Sequence, residues 1–254
     1  VEPMDTAERW IRRYSPELPG TTQLVFFPHA GGSASYYRPF CRSLAGRFET
    51  LALQYPGRQD RYGEPFVTDL DSLAGLVFAR LRTLAGRPLA FFGHSMGALL
   101  AYETTRRFEE ELGISPVRLF VSGRRAPSRP REKAMELTGE RLLAEVRELG
   151  GTDPELLGDE AMRELILQPL RADYQALQTY RFSPGPPVRC PVTALRGAAD
   201  PRTRDEEEVA AWREHTEGEF DMRVFSGGHF FISEHIEDVT TLVTERLSGV
   251  AQSG

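Results

Sequence analysis

The sequence is almost without lysine. Lys133 stands alone, and arginine supplies the rest of the 31 basic residues against 37 acidic ones, for a net charge of −6. A chain with an acidic surplus lacks the basic surface that broad nucleic-acid binding needs, so no nucleic-acid partner is expected. Cysteine is scarce too. Cys41 and Cys190 lie far apart and form no CxxC pair, which argues against a cysteine-built metal site and leaves two reduced, buried thiols as the expectation, with a single disulfide as the alternative. No window approaches the roughly 18 apolar residues of a membrane span. Val1 to Gly20 carries charges throughout and has no apolar centre, so it does not read as a secretory signal. A cytoplasmic protein with no membrane partner follows as the expectation. Repeats and low-complexity tracts are absent as well.

What the chain does have is length and ordinary globular composition. Its 254 residues are 40% hydrophobic and 27% charged, enough for one α/β core plus an insertion without disulfide support. Short apolar runs alternate with helical patterns: Leu24–Phe27, Leu51–Leu53, Leu89–Phe92, Leu119–Val121, Val192–Leu195 and Met222–Phe225. Runs this short and this apolar predict strands covered on both faces, hence a mostly parallel sheet flanked by helices. Helical spacing is readable from Asp69 to Leu84, Met96 to Leu112, Glu206 to His215 and Glu237 to Leu247.

The alternation stops between Arg124 and Pro187. Helical patterns occupy Arg141–Leu149, Glu160–Leu167 and Pro169–Tyr180, and Ser183-Pro184-Gly185-Pro186-Pro187 returns the chain to the core. A crossover needs only about a dozen residues. The reading is therefore a core of residues 1–125 and 188–254 with a helical lid insertion at 126–187.

Gly93-His94-Ser95-Met96-Gly97 follows one predicted strand and opens a predicted helix. Gly-x-Ser-x-Gly in that setting is the nucleophile elbow of the α/β-hydrolase fold: the serine sits in a strained turn where neighbouring backbones pass too close for side chains at the two glycines. Ser95 is the expected nucleophile. A serine hydroxyl needs a base, and in this fold the chain order is serine, acid, histidine. His229, after Gly227-Gly228 and the last strand, fits the base; His215 reads as part of a polar helix end, and His235 sits among charges. Asp200, ending Arg196-Gly197-Ala198-Ala199 before Pro201, fits the acid. Asp205 reads as a helix cap, and Asp221 lies at a strand start away from the site. Pro28-His29-Ala30-Gly31-Gly32 follows the first strand, and its glycines let backbone N–H groups turn inward, so Ala30 N–H and Met96 N–H are the expected oxyanion donors. The glycine-rich loop lacks the GK[ST] ending of a phosphate cradle.

Five segments together resemble the type II thioesterases that accompany polyketide and nonribosomal peptide synthases: Phe27-Pro28-His29-Ala30-Gly31-Gly32-Ser33-Ala34, Gln54-Tyr55-Pro56-Gly57-Arg58, the elbow itself, Arg196 to Asp200, and Gly227-Gly228-His229-Phe230-Phe231. The resemblance covers nearly the whole chain. It implies an α/β-hydrolase that cuts acyl groups from the phosphopantetheine arm of an acyl or peptidyl carrier protein. Serine chemistry of this kind needs no metal and no cofactor, and a monomer is the expectation. Arg58-Gln59-Asp60-Arg61 also fits the family; the sequence assigns it no chemical role, and a charged turn is the alternative.

Substrate-facing candidates are His29, Tyr174, Leu177, Phe182 and Phe230. Carrier proteins are usually acidic, so an acidic partner would need a basic patch; Arg124, Arg125, Arg129 and Arg131 cluster where core meets insertion, although a solvated loop is the favoured reading of them. Alternatives to the editing role are a medium-chain fatty acyl carrier-protein thioesterase, a small-molecule serine esterase, an acyltransferase, and a catalytically dead homologue that only binds a carrier protein.

Overall fold

A computed structural model describes residues 9–129, 134, 136–150 and 159–248. Seven strands form one sheet in the order β1-β3-β2-β4-β5-β6-β7. They are β1 (Ile11–Arg13), β2 (Gln23–Phe27), β3 (Glu49–Leu53), β4 (Leu89–His94), β5 (Arg118–Ser122), β6 (Val192–Gly197) and β7 (Phe220–Phe225). Only β1 runs antiparallel, against β3; β2 to β7 are parallel. Every residue of β2 to β6 is buried, whereas β7, at the edge, leaves Val224 exposed. Continuous apolar runs therefore form where both faces are covered, as the pattern predicts.

The helices are α1 (Arg38–Ser43), α2 (Leu70–Leu81), α3 (Met96–Leu112), α4 (Gly139–Leu149), α5 (Glu160–Thr179), α6 (Glu206–Ala210), α7 (Phe231–Glu234) and α8 (Ile236–Ser248). One face of the sheet packs on α2 and α3 through Leu73, Val77, Leu99 and Phe108. The other packs on α1, α7 and α8 through Phe40, Phe231, Val239 and Val243. Local signals set the helix ends. Asp69 caps α2 by accepting Ser72 N–H at 2.8 Å, and Gly113, at φ +67°, closes α3.

Helix α4 and the part of α5 up to Tyr174 build a third cluster, while Ala176 and Leu177 at the end of α5 join the main core. Leu142, Leu143 and Val146 pack against Leu167, Leu170 and Tyr174 in a small cluster of their own, touched by Ala30. Thr138 and Asp159 cap their N-termini. The sequence expectation broke α5 into two pieces at Pro169; the helix runs through it. Proline removes one helical hydrogen bond and crowds the carbonyl four residues back, at about 3 kcal/mol. Burial of Leu167, Leu170, Ala172, Tyr174 and Ala176 around it offsets that cost. Cys41 and Cys190 are both buried and free, as expected. Among the described residues, no helix is long and apolar enough to cross a membrane.

Candidate active site

Strand β4 ends at His94 and α3 begins at Met96, so Ser95 must reverse the chain in one residue. It does so at φ 56°, ψ −115°, in the left-handed region that ordinary side chains avoid. The turn is held by the Ser95 N–H, which donates to the Ser122 carbonyl at 2.8 Å. A Cβ on Gly97 would collide with the Phe27 carbonyl oxygen of β2, and one on Gly93 with the carbonyl of Gly97. The two glycines of the elbow are steric requirements. Met96, the first residue of α3, has an N–H with no carbonyl partner inside the helix, and the positive end of the helix lies at Ser95.

Asp200 and His229 come together from loops laced across the ends of β6 and β7. Ala198 N–H donates to Phe225 O at 2.8 Å and Ala199 N–H to Gly227 O at 2.9 Å. His229 Nδ1 lies 2.9 Å from Asp200 Oδ2, with both side chains buried. Asp200 also accepts Arg202 N–H at 2.8 Å and the Thr203 hydroxyl at 3.0 Å, so a carboxylate with no exposed surface is fully engaged. Asp205 and Asp221 are occupied elsewhere: Asp205 caps α6, and Asp221 pairs with Arg246 and Arg118. His235 bonds Ser226 at 2.9 Å. His215 is buried rather than set in a polar helix end; its ring faces Tyr102, Phe182 and Trp212.

Two further histidines flank His229. His94 lies 5.0 Å from the His229 ring, centroid to centroid, and bonds the Ser122 hydroxyl at 2.9 Å. Burial drives its pKa well below the usual histidine value, and neighbouring His229 and His29 push the same way. His29 packs edge-on against Phe230 at 4.8 Å; burial, then His229 and Arg58, lowers it to about 3. Both rings are neutral at pH 7, so His229 has polar neighbours without competing charge.

Ser95 and His229 open into a cavity of about 550 Å³. His29, Ala30 and Phe230 line its floor; Val146, Leu149, Met162, Leu165, Ile166 and Leu170 of α4 and α5 line the roof, with Tyr174 beside them. Three of the five expected substrate-facing residues are therefore in the cavity. Leu177 and Phe182 are not: both pack on the main core, and Phe182 lies 5.2 Å from the His215 ring. By its last turn α5 has passed beyond the cavity and returned to the core. The sequence reading also missed Arg58, which reaches the cavity wall from the loop after β3 and forms a buried ion pair with Asp173 of α5.

The arginine cluster is not a free basic patch. Arg125 pairs with Glu208 at 3.2 Å and Arg129 pairs with Glu214, so acids of the following elements neutralise both. Arg124 is half-buried, and burial lowers it to about 10, with Arg125 adding to the effect. Arg131 lies outside the described residues. Among the described residues, no group of three or more His, Cys, Asp or Glu side chains could hold a metal.

With this geometry in view, the relatives are informative. A thioesterase domain model matches residues 22–247, from the start of β2 to the end of α8. The chain belongs to the thioesterase family. It is 47% identical over 244 residues to the "Probable cadicidin biosynthesis thioesterase" of Streptomyces griseus, covering 96% of this chain and 67% of that protein. It is 44% identical over 241 residues to thioesterase PikA5 of Streptomyces venezuelae, covering 94% and 85%. The solved structure of the type II thioesterase BorB from the borrelidin biosynthetic cluster superposes with a TM-score of 0.87 at 46% identity, covering 94% and 98%. The expected α/β-hydrolase fold, and a serine hydrolase of the type II thioesterase kind acting on thioesters, are thereby met.

Proposed function

We propose that this enzyme hydrolyses acyl thioesters from the phosphopantetheine arm of acyl or peptidyl carrier proteins, clearing stalled or wrong units from a polyketide or peptide synthase. Ser95 is the nucleophile, His229 the base, Asp200 the orienting acid. His229 takes the Ser95 proton as the hydroxyl oxygen attacks the thioester carbonyl. Ala30 and Met96 N–H groups donate to the oxyanion, each worth about 3–4 kcal/mol at the transition state. The C–S bond breaks, and the thiol leaves with the proton held by His229. Water then repeats the attack on the acyl-serine and releases the free acid. Asp200 holds the imidazole in one tautomer and stabilises its cation. No cofactor enters these steps.

The observation that carries the reading is the 2.9 Å His229–Asp200 contact opening, with strained Ser95, into an apolar-roofed cavity. Residues 126–187, with α4 and α5 as their described helices, serve as the lid that admits and measures the acyl chain. The enzyme acts in the cytoplasm as a monomer and meets the carrier protein at the cavity mouth. The test is to present one acyl group both as a carrier-protein thioester and as an oxygen ester. The thioester should be cleaved with the higher kcat/KM, and Ser95→Ala should abolish turnover. Equal or faster cleavage of the oxygen ester would assign the chain to small-molecule esterases instead.

A further inference from the structure

The lid helix and the oxyanion loop share a buried carboxylate. Asp173, on α5, is 1% exposed. Its Oδ2 accepts the Gly31 N–H at 2.7 Å. Gly31 directly follows Ala30, whose own N–H is the proposed oxyanion donor. Arg58 grips the same carboxylate with two bonds, Nη1 to Oδ2 at 2.6 Å and Nη2 to Oδ1 at 2.9 Å, and also donates to Gly32 O at 3.2 Å. The peptide units on either side of Gly31-Gly32 are thus held from one ion pair. Packing repeats the link: Gly31, at φ +75°, lies under Leu170, and a Cβ there would come within 3.0 Å of the leucine Cδ1. Gln54 completes the frame, accepting Ala34 N–H at 2.9 Å and donating to Arg58 O at 3.1 Å.

A buried ion pair is a weak device for stability, since desolvation consumes most of its attraction. A carboxylate near an oxyanion is a positive hindrance unless its charge is cancelled. The bidentate Arg58 contact cancels it while leaving one lone pair for Gly31. That combination suits a part whose task is geometric.

We propose that Asp173 is a positioning residue for the oxyanion hole: it orients the Ala30–Gly31 segment from the lid helix, and Arg58 neutralises and aims its carboxylate. The oxyanion loop is then set correctly only when α5 is seated, so the helix that roofs the acyl cavity also completes the catalytic geometry. This rests on Ser95 and Ala30 having the roles given above.

The test compares two double variants that both remove the buried charges. Arg58→Met/Asp173→Asn keeps an acceptor for Gly31 N–H; Arg58→Met/Asp173→Leu does not. With a short acyl thioester as substrate, the leucine double should have a kcat at least tenfold below that of the asparagine double, with the two KM values within twofold. Equal kcat values would overturn the proposal and leave the pair a structural contact. Wild type and Ser95→Ala run alongside; equal hydrolysis by these two would overturn the active-site reading itself. A second measurement needs no substitution. In the wild-type enzyme the Gly31 amide should be protected from hydrogen exchange by at least a hundredfold relative to an open loop, and exchange at the rate of a free loop amide would overturn the proposal.

Discussion

His229 Nδ1 and Asp200 Oδ2 lie 2.9 Å apart, and neither side chain is more than 2% exposed. The bond fixes the orientation of the imidazole and engages Nδ1, which leaves Nε2 as the nitrogen for the proposed exchange with Ser95. Asp200→Asn keeps the volume but presents an amide whose N–H₂ can face His229, favouring the wrong tautomer. Its kcat should fall by about 10³–10⁴-fold with little change in KM, read by steady-state kinetics on any accepted thioester. A loss below tenfold would mean that Asp200 is not the orienting acid.

The elbow predicts a steric outcome. A Cβ at Gly97 meets the Phe27 carbonyl of a central strand, not a flexible side-chain end, so neither partner can yield. Gly97→Ala should cost at least about 3 kcal/mol, at the upper end for overpacking, and lower the melting temperature sharply. Gly86→Ala, where a Cβ meets nothing within 4 Å, serves as the control in the same thermal melt.

Much of this was legible because it is local. Strands β2 to β7 are written in short apolar runs, and the elbow needs only five adjacent residues and their flanks. Strand β1 was not legible: Ile11-Arg12-Arg13 has no apolar run and is a strand only because β3 offers an edge. Pro169 misled for the opposite reason, since a local breaker was overruled by burial on both sides of it. Arg58 and Asp173 are separated by 115 positions, so no spacing rule connects them. Leu177 has the apolar character of a cavity residue, and only the course of α5 shows that it belongs to the core.

His94 and His29 make stability depend on acid. Both have folded-state pKa values below the ordinary 6.5, His29 at about 3 and His94 well down by burial. Above 6.5 neither is protonated, folded or unfolded, and their contribution to stability is fully present. Below it the unfolded chain takes up protons that the native state refuses, so stability falls by up to about 1.4 kcal/mol per pH unit for each ring. Urea unfolding at pH 7.5, 6 and 5 should show this decline. His94→Gln, which retains a polar partner for Ser122, should flatten the slope; an unchanged slope would remove His94 as a cause.

If the cavity takes the acyl chain as proposed, its apolar lining sets the chain length. Ile166 of α5 lines the cavity and packs on the small cluster between α4 and α5. A larger side chain there must either project into the cavity or lift α5. Lifting α5 would disturb the buried Arg58–Asp173 pair, so projection is the less costly response. Ile166→Trp should then shorten the accommodated chain. The ratio of kcat/KM for a long acyl thioester to that for an acetyl thioester should drop about tenfold, since a misfit of one or two methylenes is worth about 1–3 kcal/mol in an apolar pocket. A ratio that stays constant while both rates fall would point to displacement of α5 instead, and would place the chain-measuring surface elsewhere along the cavity.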